Sequence, residues 1–222
     1  TRMAQGIPYY YRFLERFPDI HSLAEASIDE VLEIWQGLGY YSRARNLHHG
    51  ARQIVQERLG KWPETYREWL QIKGVGSYTA AAITSMVYGE AIAAVDGNAL
   101  RVFSRVFGLD ANIDSAAGRN EIRQIANDII DKRNPGAFNQ AVMDFGSVIC
   151  KPARPACAWC PFQMECRALQ SGDAQKYPVR KPKKPAKSRH FNYIQLMFHH
   201  ADESSDGPWF LIRQRRGKDI WQ

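Results

Sequence analysis

The sequence predicts a mainly α-helical protein up to about residue 170, followed by a linker and the start of an α+β domain. Apolar residues recur at helical spacing as far as the last cysteine. Residues 171–189 are rich in proline and lysine, which is typical of an extended, solvated linker. Two short apolar runs, 193–198 and 209–212, flank a polar loop as the strands of a β-hairpin do.

The first helix boundaries follow from a cap and from glycines. Residues 27–30, Ser-Ile-Asp-Glu, form a capping box, and residues 37–39, Gly-Leu-Gly, break the helix that it starts. A second helix is predicted from about residue 42 to Leu59, with Gly60 as its stop. The residues predicted to face inward are Ala44, Leu47, Ala51, Ile54 and Val55.

Further helices are predicted from the same kinds of signal. Pro63 opens a short helix through Leu70, and Ser77 caps a helix over residues 78–88. Asn98 caps the next helix, which carries a strong apolar pattern. Two more helices are predicted near residues 117–131 and 136–149.

Composition and charge limit the function only weakly. The 222 residues are 45% hydrophobic and 24% charged, which suits one large globular domain or two modest ones. No apolar run reaches transmembrane length and residues 1–6 lack the core of a signal peptide, so we expect an intracellular protein. The net charge of +7 arises from a basic stretch without acids, residues 176–189, so any nucleic-acid partner must be argued from specific sites.

All four cysteines lie in one short segment with the spacing Cys-x6-Cys-x2-Cys-x5-Cys, which indicates a single dedicated site. They are Cys150, Cys157, Cys160 and Cys166. Four thiolates suit a four-iron cluster or a tetrahedral zinc ion, and structural thiols remain a third interpretation. The basic residues Lys151, Arg154 and Arg167 lie in or beside this segment, either as a surface for DNA or as a solvated loop.

Residues 72–77, Ile-Lys-Gly-Val-Gly-Ser, lie between two predicted helices in a helix–hairpin–helix pattern. The glycines allow a tight turn, and the free amides before the next helix favour a phosphate. Such a turn binds DNA without reading bases, and Lys73 adds a charge. The alternative is an ordinary corner between two helices.

Asp96 follows an apolar segment and stands just before a helix. There it could stabilise or attack a positively charged sugar, although an aspartate that only caps the helix explains the same pattern. Residues 37–41, Gly-Leu-Gly-Tyr-Tyr, offer candidates for insertion between bases. We expect Leu38 and Tyr40 to insert and Tyr41 to pack in the core.

These motifs together resemble the helix–hairpin–helix DNA glycosylases with a four-iron cluster, over essentially the whole chain. Residues 37–47 and 95–98 are similar to signatures of the adenine DNA glycosylase family. Endonuclease III proteins have Asp-Thr-His where this chain has Asp-Gly-Asn at residues 96–98. Bifunctional relatives place a Schiff-base lysine two residues after the second glycine of the hairpin, where this chain has Tyr78, so a monofunctional glycosylase is predicted.

The resemblance implies a two-lobed core and assigns roles to residues. The expected divisions are a six-helix module (1–88), an iron–sulfur domain (89–170), a linker (171–189) and the start of a Nudix-like domain (190–222). Asp96, Asn98 and Tyr78 would be catalytic, and the four cysteines would hold a [4Fe-4S] cluster. The residues expected to contact DNA are Thr1, Leu38, Tyr40, Arg43, Arg45, Lys73, Gly74, Val75 and Gly76.

The implied activity is removal of adenine paired with 8-oxoguanine or guanine in double-stranded DNA. A monovalent cation at the hairpin, a monomeric state, no membrane association and, in a bacterium, a cytoplasmic location near the nucleoid are also expected. The family's general acid, a glutamate, would precede Thr1, so we expect a longer protein and weak activity from residues 1–222 alone. The alternatives are a pyrimidine-specific glycosylase/lyase of the endonuclease III type and a non-catalytic DNA-binding module with a structural metal.

Overall fold

A computed structural model describes residues 3–182, residue 188 and the pairs 197–198 and 209–210. The chain divides into two units, Thr1–Lys181 and Pro182–Gln222. The predicted DNA contact at Thr1 lies outside the described residues, as does most of the predicted Nudix-like start. None of the helices in the described ranges is long and apolar enough to cross a membrane.

The first unit is built from helices, which confirms the predicted mainly α class. Its α-helices are α1 (Met3–Arg16), α2 (Ile20–Glu25), α3 (Ile28–Trp35), α4 (Ser42–Arg52), α5 (Tyr66–Trp69), α6 (Ser77–Val87), α7 (Gly97–Phe107), α8 (Ala116–Ile129), α9 (Pro135–Val148) and α10 (Arg167–Gln170). A π-helical turn, Gln53–Glu57, follows α4, and 3₁₀ turns lie at Cys157–Trp159 and Ala174–Lys176.

Capping boxes start α3 and α5. The predicted box holds, because the Glu30 amide donates to Ser27 Oγ over 3.2 Å and the Ser27 amide donates to Glu30 Oε2 over 2.8 Å. The short helix predicted from Pro63 begins later, at Tyr66, because Thr65 and Glu68 form a box of their own. Backbone amides of Glu64 and Thr65, followed by Arg58, hold the pKa of Glu68 at about 2.

The long helix predicted over residues 42–59 differs from the structure at its end and on one face. The α-helix stops at Arg52, passes into the π turn, and closes with positive φ angles at Leu59 and Gly60. Leu47, predicted to face inward, is 45% exposed on an open apolar groove that the Trp62 side chain also lines. The sequence offered no specific boundaries for α1 and α2.

Three apolar clusters fill the described part of the first unit. One joins α1 to α4 around Phe17, Val31 and Ala44, and a second joins α7 and α8 around Phe103 and Ile122. A third joins the π turn, α5 and α6 and consists of Ile54, Trp69, Ile72 and Ala80. Helix α9 packs against both α6 and α7. A Cβ atom at Gly146 would lie 2.6 Å from Asn98 Cβ, so this glycine allows α9 to approach the start of α7. Helix α9 therefore fixes the residues around Asp96.

The first part of the predicted linker packs on the helical unit. Tyr177 is buried, the Ile113 amide donates to the Val179 carbonyl over 3.1 Å, and the Lys181 amide donates to Asp114 Oδ2 over 2.9 Å. These residues are therefore not solvated linker, because non-local backbone hydrogen bonds hold them. In the second unit, the strands β1 (Met197–Phe198) and β2 (Trp209–Phe210) pair antiparallel, within the two predicted strand segments.

Candidate active site and cysteine loop

Asp96 is the N-cap of α7 and is held by three hydrogen bonds. Its Oδ1 accepts from the amides of Asn98 and Ala99, both over 2.8 Å. Its Oδ2 accepts from Asn98 Nδ2 over 2.9 Å. The prediction that Asn98 caps this helix is therefore wrong, because Asp96 has the extended backbone that a cap requires. Asn98 instead fixes the orientation of the carboxylate.

Capping leaves Asp96 chemically available. The residue is only partly buried, and Oδ2 accepts a single hydrogen bond from the described residues. A carboxylate oxygen has two lone-pair directions, so one stays open for a reacting atom. The same bonds that cap the helix therefore place the free lone pair of Asp96 in a fixed direction.

Tyr78 lies beside this carboxylate without a hydrogen bond to it. Its hydroxyl donates to Met143 Sδ over 3.1 Å. Burial, and then the charge of Asp96, raise the pKa of Tyr78 above its usual value. The phenol therefore stays neutral near pH 7, and it offers no amine for a Schiff base. A pocket of about 360 Å³ adjoins Tyr78 and is also lined by Val95, Arg123 and Asn127.

Arg101, which the sequence analysis missed, connects the active site to the cysteine loop (residues 150–166). Its Nη2 donates to Asn98 Oδ1 over 2.9 Å and to the Gly146 carbonyl over 2.6 Å. Its Nε donates to the Cys150 carbonyl over 2.8 Å. Burial lowers the pKa of this guanidinium from its usual value. A signal for Arg101 was present, because an arginine on the buried face of an amphipathic helix needs partners.

Arg105, one turn further along α7, holds the start of the cysteine loop. The residue is 2% exposed, and its Nη atoms donate to the carbonyls of Lys151 over 2.7 Å and Pro152 over 2.8 Å. It also approaches Cys150 Sγ at 3.5 Å and donates from Nε to the Tyr177 carbonyl over 3.1 Å. Arg105 therefore joins α7, the cysteine loop and the segment around Tyr177.

The four cysteines line one pocket, together with Arg105 and Phe145, and they form no disulfide bond with one another. Burial raises the pKa of the Cys160 thiol, and the other three cysteines raise it further. Among the described residues, no three Cys, His, Asp or Glu side chains converge closely enough to hold a single metal ion. The donor set is entirely sulfur, which suits an iron–sulfur cluster whose thiolates stand around a larger body. Lys151, Arg154 and Arg167 are exposed around this pocket.

The Gly-Val-Gly turn (residues 72–76) leads from α5 into α6. Gly74 has a φ of +84°, and the Val75 amide closes the turn on the Ile72 carbonyl over 3.1 Å. The predicted cap at Ser77 is wrong, because Gly76 is the N-cap and no side chain caps α6. Within residues 3–182, no hydrogen-bond acceptor is found for the amides of Gly74, Gly76, Ser77 and Tyr78. These amides form a site for an anion at the helix start.

The wedge turn (residues 37–41) presents one strongly exposed aromatic ring. Tyr40 is 82% exposed and has a φ of +51°, a conformation that L-residues rarely adopt. The Arg43 guanidinium lies 5.6 Å from the centroid of the Tyr40 ring. Leu38 is partly buried, so Tyr40 is the more accessible of the two insertion candidates. Tyr41, predicted to pack in the core, is 41% exposed because it lies at the solvent side of the turn.

The structure brings some of the predicted site residues together. Tyr78 follows the Gly-Val-Gly turn directly and adjoins Asp96, so the turn and the carboxylate share one region. The wedge turn connects to the same region through α4, whose Asn46 packs against Gly74. Arg45 is exposed on α4, and Lys73 is exposed on the Gly-Val-Gly turn.

A helical fold with a Gly-Val-Gly turn, a carboxylate at a helix start and a four-cysteine loop defines a helix–hairpin–helix DNA repair protein. The family model described as "HhH-GPD superfamily base excision DNA repair protein" matches residues 1–132. The chain belongs to that superfamily, as the sequence predicted. It is 43% identical over 171 residues to the adenine DNA glycosylases of Mus musculus and Homo sapiens, a match that covers 77% of this chain and 33% and 31% of theirs.

A bacterial relative matches over the entire chain. The adenine DNA glycosylase of Buchnera aphidicola subsp. Schizaphis graminum is 30% identical over 222 residues, which cover 62% of its length. The chain thus spans about a third of the length of the mouse relative and less than two thirds of the length of the bacterial one. A thermostable thymine-DNA glycosylase is similar in structure, with a TM-score of 0.68 at 25% identity over 75% of this chain and 76% of that one. A non-covalent endonuclease III–DNA complex shares the fold, with a TM-score of 0.66 over 76% and 78%.

Proposed function

We propose that this chain is the core of a monofunctional DNA glycosylase that hydrolyses the N-glycosidic bond of adenine paired with 8-oxoguanine or guanine. The observation that carries the proposal is Asp96, held by Asn98 and the α7 amides beside the start of α6. Tyr78 stands there in place of a lysine nucleophile. The similarity to adenine DNA glycosylases supports adenine as the base.

In this mechanism, separate parts of the chain hold the DNA and perform the chemistry. The free amides of the Gly-Val-Gly turn bind a backbone phosphate, with Lys73 adding a positive charge. Tyr40 inserts into the stack beside 8-oxoguanine, with Leu38 near it, while the adenine rotates out of the duplex. Arg43 and Arg45 flank the wedge turn and contact the backbone. The pocket beside Tyr78 provides room for an extruded base.

Asp96 acts on the sugar as the glycosidic bond breaks. Its open Oδ2 lone pair stabilises the oxocarbenium-like sugar or captures it, and water completes the hydrolysis. Asn98 keeps that oxygen in place. Departure of adenine also needs a general acid to protonate the base, and Asp96 and Asn98 do not supply it. The chain spans less than two thirds of the length of its relatives, so the activity is proposed for the full-length protein.

We further propose that Cys150, Cys157, Cys160 and Cys166 hold a [4Fe-4S] cluster. The all-sulfur donor set around one pocket suits a four-iron cluster or a tetrahedral zinc ion. The superfamily to which the chain belongs supports the cluster. With a cluster bound, its four thiolate ligands would tie the cysteine loop together, and Lys151 and Arg154 would be held in place to contact DNA phosphates. A monovalent cation at the Gly-Val-Gly turn, a monomeric state and a cytoplasmic location remain predictions.

Product analysis tests the monofunctional mechanism. The full-length protein is incubated with a duplex that contains adenine opposite 8-oxoguanine, with and without borohydride. We expect free adenine, an abasic strand that breaks only after alkali, and no covalent complex. A borohydride-trapped complex would favour the endonuclease III type instead. Tight binding without release of any base would favour a non-catalytic DNA-binding module.

A further inference from the structure

One face of α4, continued by the first residue of the π turn, lies against the Gly-Val-Gly turn. Asn46, Gly50 and Gln53 are spaced by four and three positions, which places them on the same side of a helix. A Cβ atom at Gly74 would lie 2.3 Å from Asn46 Cβ, and one at Gly50 would lie 3.1 Å from Ile72 Cγ2. The turn therefore packs directly on this helix, and each partner contributes a glycine to the contact, Gly74 from the turn and Gly50 from α4.

Gln53 adds two hydrogen bonds to that packing. The Lys73 amide donates to Gln53 Oε1 over 3.0 Å, and Gln53 Nε2 donates to the Gln71 carbonyl over 3.1 Å. A single side-chain amide thus bonds the backbone on both sides of Ile72. Gln53 is also the first residue of the π turn. There the backbone hydrogen bond spans five residues, with the Arg58 amide donating to the Gln53 carbonyl over 3.1 Å.

These bonds divide the amides of the turn into two groups. The Lys73 amide is already paired with Gln53, whereas the amides of Gly74, Gly76, Ser77 and Tyr78 have no acceptor in residues 3–182. The direction in which the four unpaired N–H groups point depends on where the backbone from Gln71 to Lys73 is held. A turn whose N–H groups already point toward the phosphate binds more tightly than one that must become ordered on binding, because ordering the backbone costs binding free energy.

We propose that Gln53 is a positioning residue for DNA binding, which orients the Gly-Val-Gly turn so that its free amides meet a backbone phosphate. This inference rests on the proposed function, since it assumes that the turn binds DNA. Helix α4 begins directly after the wedge turn, so it also carries Tyr40 at one end.

The variant Gln53→Met tests the proposal in the full-length protein, because methionine keeps the length of the side chain and removes both hydrogen bonds. We expect the Kd for a duplex with adenine opposite 8-oxoguanine to rise roughly tenfold. The slope of the logarithm of the binding constant against the logarithm of the salt concentration should stay unchanged, because the amides of the turn carry no charge and displace no counterions. The single-turnover rate of base release at saturating enzyme should stay within about twofold, because the chemistry does not involve Gln53.

Gln124→Met is the matched control, because Gln124 is exposed on α8 and its side chain has no hydrogen-bond partner among the described residues. Hydrogen exchange of the Lys73 amide in the free protein gives a second measurement, which should become faster in Gln53→Met only. Faster exchange with an unchanged Kd would overturn the proposal, as would unchanged exchange. Loss of folded protein alone would lower the active fraction, measured by titration, without changing the Kd of the protein that remains active.

The wild-type protein distinguishes failure of this inference from failure of the proposed function. Wild-type protein that binds the duplex and releases adenine supports the proposed function, and the variant then decides the role of Gln53. Wild-type protein that does neither contradicts the proposed function, and the DNA role of Gln53 fails with it.

Discussion

At Asp96, helix capping and the proposed chemistry use the same carboxylate. The three donors that satisfy the start of α7 also fix where the open Oδ2 lone pair is directed. The sequence left open whether Asp96 is catalytic or only caps the helix. The two roles are compatible, because the hydrogen bonds of the cap hold the reacting oxygen in a fixed position. Within the described part of the chain, Asn98 supplies the one side-chain hydrogen bond to this carboxylate.

Replacing Asp96 with asparagine separates the two roles. Asparagine caps helices about as well as aspartate, so the thermal midpoint should change little. A neutral amide cannot stabilise a cationic sugar, so single-turnover adenine release should fall at least about a hundredfold, while duplex binding persists. The exposed Asp128, which makes no side-chain hydrogen bond in the described ranges, gives the control Asp128→Asn. Release at the wild-type rate would remove Asp96 from the mechanism.

Arg101 should matter both for stability and for the geometry at Asn98. We expect Arg101→Met to lower the free energy of unfolding by about 3 kcal/mol, because it leaves buried carbonyl acceptors at Gly146 and Cys150 without a donor. Adenine release at a temperature where the variant is folded should also fall, because Asn98 Oδ1 loses its partner. Denaturant unfolding and single-turnover assays check the two effects.

The control for Arg101 is Arg133→Met, at an exposed position whose side chain has no partner in the described residues. Equal unfolding curves for the two variants would contradict the role given to Arg101.

Sequence patterns identified Asp96, Asn98 and the cysteines because those signals are local. Arg101 was missed because two of its partners, the carbonyls of Gly146 and Cys150, lie more than 40 positions away, and these contacts depend on how α7 and α9 pack.

At the scale of elements, the sequence located helices better than it located their ends. The cap at Ser27 was confirmed because a single polar side chain and a matching glutamate mark it. At α7, Asp96 and Asn98 compete for the cap, and only the backbone conformation decides between them. At α4, the helix changes to a π turn at Gln53, a change that apolar periodicity does not show.

The Gly-Val-Gly turn should tolerate no side chain at Gly74. Both Gly74 and Gly172 have positive φ angles, +84° and +81°, so alanine is strained at either position. Only at Gly74 would the new Cβ atom collide, with Asn46, whereas Gly172 has no atom within 4 Å. We therefore expect Gly74→Ala to weaken duplex binding by about tenfold or more and Gly172→Ala to leave it unchanged, as measured by fluorescence anisotropy. Equal effects of the two substitutions would show that backbone strain alone is responsible.

At the scale of the whole molecule, distant segments converge on α7. Helix α9, the cysteine loop and the segment around Tyr177 all reach it, through Gly146, Arg101 and Arg105. The superfamily and the helical class were predictable from motifs. This convergence was not, because buried arginines and close glycine contacts join residues far apart in sequence.

The cysteine loop gives a prediction for the intact protein. We expect purified protein to absorb broadly near about 400 nm and to contain about four irons, because four thiolates around one pocket suit a [4Fe-4S] cluster. Chelation of the metal should disorder the cysteine loop and weaken duplex binding, because Lys151 and Arg154 would no longer be held in place. Colourless protein with one zinc ion per chain would contradict the cluster assignment.

The central claim is that the intact protein removes adenine paired with 8-oxoguanine. The most direct test measures the single-turnover release of adenine from otherwise identical duplexes in which adenine stands opposite 8-oxoguanine or opposite thymine. We predict rapid release from the first duplex, far slower release from the second, and loss of the activity in Asp96→Asn. Equal rates on both duplexes, or no adenine release from either, would contradict the account.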